Sequence, residues 1–136
     1  MKFYRKAPGE VVAEYRVPSH FQGYPGVVHG GIVASMLDEV TGRTFMEDDP
    51  PRFMVTARLS IRYRRPVPVD QPLRLVGLAG KDDGRVAYAT GQIFGPEGTL
   101  LAEADAVLVN IPETSLGEMD VQALGWKVYP DEEDRG

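Results

Sequence analysis

His29-Gly30-Gly31-Ile32-Val33-Ala34-Ser35-Met36-Leu37-Asp38-Glu39-Val40 places a glycine pair at a predicted helix start and a carboxylate near the middle of the same helix. At about 100° per residue, Ile32, Val33, Met36, Leu37 and Val40 fill one arc and predict a core-facing stripe. Gly31, Ala34, Asp38, Thr41, Gly42 and Phe45 fall on roughly the opposite side. Small residues dominate there, which suits a pocket or a partner surface better than open water. The helix is expected to run from Gly30 to about Met46, where Asp48-Asp49-Pro50-Pro51 stops it because two prolines cannot continue its hydrogen bonds. Backbone N–H groups at such a helix start, backed by the helix dipole, can hold a developing oxyanion, and glycine lets a substrate approach the main chain. A positioned carboxylate then supplies a base or a nucleophile toward a carbonyl.

Outward from this helix the chain alternates like strands. Glu10 to Val17 carries strand-forming residues, and Pro18 to Gly26 is dense in turn formers. After the prolines, Phe53, Val55, Ala57, Leu59, Ile61 and Tyr63 alternate with Met54, Thr56, Arg58, Ser60, Arg62 and Arg64. This period of two predicts a half-buried strand with the first set toward the core. The turns Lys81-Asp82-Asp83-Gly84-Arg85 and Gly95-Pro96-Glu97-Gly98 separate three further runs, Leu73 to Gly80, Arg85 to Phe94 and Thr99 to Asn110. In the last run Leu100, Ala102, Ala104, Ala106 and Leu108 share a face whose small residues let a helix lie close. One helix and an antiparallel meander, with an earlier strand in front, predict a single α+β domain in which the sheet curls around the helix.

Composition narrows the chemistry. With no cysteine and two histidines, His20 and His29, thiolate catalysis, disulfides and Cys-ligated metals are excluded and a histidine-rich metal site is disfavoured. Carboxylates, hydroxyls and backbone dipoles remain, and no metal or redox cofactor is implied. Seven of the 20 acidic residues lie after residue 110, against two of the 15 basic ones, so the net charge of −5 belongs to the tail. A body without basic surplus argues against nucleic-acid binding. No apolar run approaches a membrane span and the N-terminus lacks a signal core, so a cytoplasmic location without membrane association is expected.

Spacing also bears on assembly. Asp38 follows Gly30 by eight residues, so at about 1.5 Å rise per residue the two are roughly 12 Å apart along one helix and cannot serve one small carbonyl together. Two helices of a two-fold dimer, each glycine end meeting the other chain's acid, would solve this.

At these residues the chain resembles the hotdog-fold acyl-CoA thioesterases of the PaaI-like group. The resemblance rests on Gly26-Val27-Val28-His29-Gly30-Gly31, on Asp38 nine positions after the histidine, and on Thr56-Ala57-Arg58-Leu59-Ser60-Ile61-Arg62-Tyr63-Arg64-Arg65-Pro66. Phe21-Gln22-Gly23-Tyr24-Pro25-Gly26 is similar to the entry loop of the vertebrate mitochondrial branch, although nothing here looks like a transit peptide. The resemblance implies a hotdog fold, an antiparallel sheet wrapped around one long central helix. It also implies a homodimer or dimer of dimers, and hydrolysis of an acyl-CoA thioester at the subunit interface. By analogy Gly30 N–H polarises the thioester carbonyl, Asp38 from the other subunit activates water or attacks directly, and Thr56 orients that carboxylate or the water. Substrate contacts fall to His29, Gly31, Gln22, Arg62, Arg64 and Arg65. Many relatives carry Asn or Gln six residues before the histidine, where this chain has Gly23 with Gln22 adjacent. The thioesterase-like domain is expected over residues 1–110, followed by an acidic tail, 111–136, packed around Trp126 or solvated.

Bland readings stand beside these. Asp38 also fits a solvated helix carboxylate, His29 a residue that shapes the helix start, and the arginines a solvated or cross-strand-paired face. Thr56 raises a difficulty, because strict alternation groups it with Arg58 and Arg62, away from the core, unless a strand end at a dimer seam presents it to the pocket. A non-catalytic acyl-CoA-binding module and a hotdog hydratase or dehydratase remain as alternatives.

Overall fold

The structure is a computed structural model that describes residues 1–48, 51–111 and 129–130. Strands β1 (Tyr4–Ala7) and β2 (Glu10–Tyr15) form a leading hairpin, and a 3-10 turn over Ser19–Phe21 leads to the helix α1 (Gly30–Gly42). Two short strands, β3 (Glu47–Asp48) and β4 (Pro51–Arg52), pair with each other. The long strands β5 (Met54–Tyr63), β6 (Leu73–Asp82), β7 (Val86–Phe94) and β8 (Leu100–Asn110) follow, then β9 (Tyr129–Pro130). The main sheet has the order β5-β8-β7-β6-β2-β1-β9, antiparallel except where β9 runs parallel to β1. α1 packs on one face of this sheet, the hotdog arrangement implied by the resemblance.

The helix buries Val33, Met36, Leu37 and Val40 as its periodicity predicts, with Ile32 half-buried beside them. Thr41, expected on the opposite side, is instead fully buried. It sits over Gly91 of β7, where an added Cβ would come within 2.9 Å of Thr41 Cγ2, and Gly91 pairs in register with Gly77 of β6. A Cβ on Gly77 would meet the Val40 carbonyl oxygen at 2.5 Å. These paired glycines form a floor without side chains that lets the helix backbone rest on the sheet, and Ala102, Ala104 and Ala106 of β8 are buried as expected. The helix also ends at Gly42, earlier than Met46. Thr44 donates from both its N–H and its hydroxyl to the Thr41 carbonyl, at 3.2 and 2.7 Å, which closes the last turn.

β5 departs from simple alternation. Its pairing with β8 slips between Thr56 and Arg58, which oppose Leu108 and Val107 respectively, so Ala57 is the extra residue of a β-bulge. Before the bulge Met54 is buried and Thr56 reaches the helix; after it Leu59, Ile61 and Tyr63 face that way. Val55 and Ala57, expected toward the core, are exposed, and Phe53 is half-buried ahead of the strand.

The link from β5 to β6 crosses the approach to the helix. Val28 N–H donates to Val67 O at 2.7 Å, Val69 N–H to Gly26 O at 3.1 Å and Asp70 N–H to Val17 O at 2.9 Å. This strap ties the loop before α1 to the body and so sets where the helix begins. Trp126 and the remainder of the expected tail lie outside the described residues, apart from Ile111 and the backbone pairing of Tyr129–Pro130 with β1.

Candidate active site

His29 caps the helix. Its Nδ1 accepts the Gly31 N–H at 2.9 Å, which requires a lone pair on that nitrogen. The helix's first turn thus has one donor already spent, while Gly30 N–H has no acceptor among the described residues and Gly30 is exposed. A cavity of about 360 Å³ opens there, lined by Gly23, Tyr24, Val27, Val28, His29 and Gly30. The arrangement offers one unspent amide, aided by the positive end of the helix dipole, to an oxygen entering that cavity.

Two turns along the same helix, Asp38 is half-buried. Its Oδ1 accepts from Thr56 Oγ1 at 2.6 Å, so a hydroxyl from β5 holds one carboxylate oxygen and leaves Oδ2 without a partner among the described residues. The bulge at Ala57 brings Thr56 to this place, which resolves the difficulty that alternation posed. A second cavity, about 300 Å³, lies here between the last turns of α1 and the start of β5. Asp38, Thr56 and Gly42 border it together with the apolar Met46, Phe53, Met54 and Val55 and the ion-paired Glu39 and Arg43. The two cavities share no lining residue. Within one chain, the amide and the carboxylate therefore open onto different spaces, as the roughly 12 Å helical separation requires.

The other expected site residues are placed as follows. Gln22 uses its Oε1 to accept the Gly26 N–H at 3.0 Å and so closes its own loop. Gly23 lies against His29, where an added Cβ would stand 3.5 Å from His29 Cα. Gly31 directs its N–H to His29. Arg64 is engaged by Glu103 of β8, Nε to Oε2 at 2.8 Å, while Arg62 and Arg65 are exposed. Tyr63, which no spacing argument had marked beyond its place in the strand motif, donates its hydroxyl to Gly30 O at 2.9 Å. The only signal for it in the sequence was that motif, since a contact 33 residues apart depends on the register of β5. Among the described residues no group of three or more His, Cys, Asp or Glu side chains could hold a metal ion.

Comparison with known proteins places this geometry in context. Residues 25–102 match the family model described as thioesterase superfamily. Acyl-coenzyme A thioesterase THEM4 from Mus musculus is 32% identical over 116 residues, which cover 84% of this chain and 49% of that protein. The chain thus spans about half the length of that relative. Among solved structures, a thioesterase superfamily protein from Shewanella loihica PV-4 is 28% identical, with a TM-score of 0.68 and coverage of 82% of this chain and 91% of its own. A hypothetical thioesterase from Streptococcus pneumoniae TIGR4, solved with coenzyme A, superposes with a TM-score of 0.73 at 21% identity, over 81% of this chain and 84% of its own, and shares the fold.

Proposed function

The chain belongs to the thioesterase superfamily, and on that premise we propose that it hydrolyses acyl-CoA thioesters at sites built from two copies of itself. One observation carries this reading: a carboxylate steered by Thr56 and an unspent helix-start amide sit on the same helix but in separate cavities. Each is half of a site for attack on a thioester carbonyl. A two-fold dimer that sets Gly30 of one protomer opposite Asp38 of the partner subunit would complete both halves twice.

In such a site the thioester oxygen accepts from Gly30 N–H, which gains strength as negative charge develops on that oxygen. Asp38, with Oδ1 occupied by Thr56, presents Oδ2 either to a water as general base or to the carbonyl carbon as nucleophile. In the first route Asp38 takes a proton from the water, the water oxygen bonds the carbonyl carbon, the C–S bond breaks and the departing CoA thiolate recovers that proton. In the second, loss of the thiolate leaves a mixed anhydride on Asp38 that a water then hydrolyses to free acid and carboxylate. The acyl group fits the cavity between α1 and β5, where Met46, Phe53, Met54 and Val55 supply apolar wall and the only charges besides Asp38 are the mutually paired Glu39 and Arg43. Arg62 and Arg65, exposed at and after the end of β5, are the guanidinium groups that suit the CoA phosphates, Arg64 being paired with Glu103.

The test is thiol release from a panel of acyl-CoA esters by the native chain and by Asp38→Asn. A substrate that the native chain cleaves and the amide variant cleaves roughly 10²-fold more slowly or worse supports the reading. Equal rates for the two proteins would remove Asp38 from the chemistry. Tight acyl-CoA binding without any thiol release would favour the binding-module alternative. The hydratase alternative is weakened by His29, whose Nδ1 is committed to the Gly31 amide.

A further inference from the structure

Residues 30 and 31 are both glycine, the residue with the widest backbone freedom, at the point where the proposed chemistry needs one N–H held still. The peptide that joins them is gripped at both ends. Its carbonyl oxygen, Gly30 O, accepts from Tyr63 Oη at 2.9 Å, and its amide, Gly31 N–H, donates to His29 Nδ1 at 2.9 Å. The Tyr63 ring also lies along Gly30. A Cβ built there would stand 3.7 Å from Oη and 3.9 Å from both Cε1 and Cζ, which is ordinary van der Waals contact.

Packing alone does not account for this phenol, because Tyr63 is 55% exposed and belongs to no buried cluster. Its direction comes from the bulge at Ala57. Tyr63 lies seven positions after Thr56, an odd offset that would place them on opposite faces of a regular strand. With the bulge, one strand sends one hydroxyl to Asp38 and another to the Gly30 carbonyl.

We propose that Tyr63 is a positioning residue that holds the Gly30–Gly31 peptide so that the Gly30 amide keeps a fixed direction toward the thioester oxygen. This rests on the reading of Gly30 as the oxyanion donor. With the peptide plane fixed by Tyr63 and His29, rotation about the Gly30 backbone bonds is restricted, and the preceding N–H is set before substrate arrives. A prealigned donor acts mainly on the transition state, where charge on the oxygen is greatest, and little on ground-state binding.

The experiment compares the native chain with Tyr63→Phe, which keeps the ring and removes only the exposed hydroxyl. Steady-state thiol release is measured, together with ¹⁵N relaxation at the Gly30 and Gly31 amides. The expected result is a kcat about tenfold lower, KM within about twofold, and lower order parameters at Gly30 and Gly31 with the rest of α1 unchanged. A merely structural hydroxyl would lower the melting temperature and leave that split absent. Unchanged kcat in an active enzyme overturns the proposal, and so do unchanged order parameters at the two glycines. Failure of the native chain to cleave any acyl-CoA sinks the hydrolase reading instead, and the relaxation measurement then decides the role of Tyr63 without it.

Discussion

Thr56 Oγ1 lies 2.6 Å from Asp38 Oδ1 because an extra residue, Ala57, turns the start of β5 toward the helix. The contact joins the edge strand of the sheet to the middle of α1 and fixes one of the two carboxylate oxygens. A hydrogen bond to a charged acceptor contributes about 1.5–3 kcal/mol. Thr56→Val is therefore expected to lower kcat roughly tenfold or more, with Asp38→Asn costing considerably more and the double variant costing no more than Asp38→Asn alone. Thiol-release kinetics on the three proteins check this. Independent, additive effects would mean that Thr56 acts elsewhere.

Gly30 occupies the first helical position, and His29 before it has φ −55° and ψ 137°, the extended geometry that tolerates a following proline. Gly30→Pro thus removes the amide hydrogen while suiting the helix start, and the space toward Tyr63 admits a Cβ. The expected outcome is a folded protein with kcat lowered by about 10²–10³. If sites are shared between protomers, unfolding and refolding Gly30→Pro together with Asp38→Asn restores activity. A hybrid dimer would then contain one site with both an intact amide and an intact carboxylate. Activity no greater than the sum of the two variants would point to sites within one chain.

Gly42 borders the cavity beside Asp38, and a Cβ added there meets nothing within 4 Å. Leucine at this position extends into the space assigned to the acyl group. Gly42→Leu is expected to shift the acyl-CoA preference toward shorter chains by raising KM for the longer ones, with the fold intact because leucine is a good helix former. An acyl-length profile identical to that of the native chain would place the acyl group elsewhere.

Beneath the helix, Gly77 lies closer to α1 than Gly91 does, its absent Cβ only 2.5 Å from the Val40 carbonyl oxygen. Backbone cannot yield as a side chain does. Gly77→Ala should destabilise the protein by about 1–3 kcal/mol or more as α1 lifts from β6, whereas Gly98→Ala on an exposed turn lacks any such clash. Gly98 has φ +81°, so that control carries a backbone cost of its own of about 1–2 kcal/mol. Denaturant unfolding of the two variants gives the comparison.

Asp82 offers a pH test away from the site. Hydrogen bonding from Arg52, at 2.6 and 2.9 Å, and from the Gly84 amide hold its carboxyl down to about 2 from the ordinary 3.8. A carboxyl with a lowered folded pKa adds stability above its unfolded value and loses it as pH falls through the folded one. Asp82→Asn should therefore flatten the stability profile between about pH 4 and pH 2. Because the pair is near the surface, its loss at neutral pH should amount to no more than about 1 kcal/mol. Urea unfolding midpoints across that range measure both effects.

The amphipathic helix, the meander and the wide separation of Gly30 from Asp38 were all legible in the residues alone, since period, turn chemistry and helical rise are local properties. Gly30 and Asp38 could be named from the same stretch. Other features depended on which strand residue lies opposite which. The bulge at Ala57 leaves no local mark, yet it reverses the facing of Val55 and Ala57 and brings Thr56 onto Asp38. The Gly77–Gly91 floor exists only through the pairing of β6 with β7, and it is what buries Thr41. Helix periodicity is set within a few residues of chain, so it can be read from them. Strand register is decided by hydrogen bonds and packing between distant segments, and a one-residue slip there exchanges the two faces, so only the tertiary structure could place Thr56 and Tyr63 against α1.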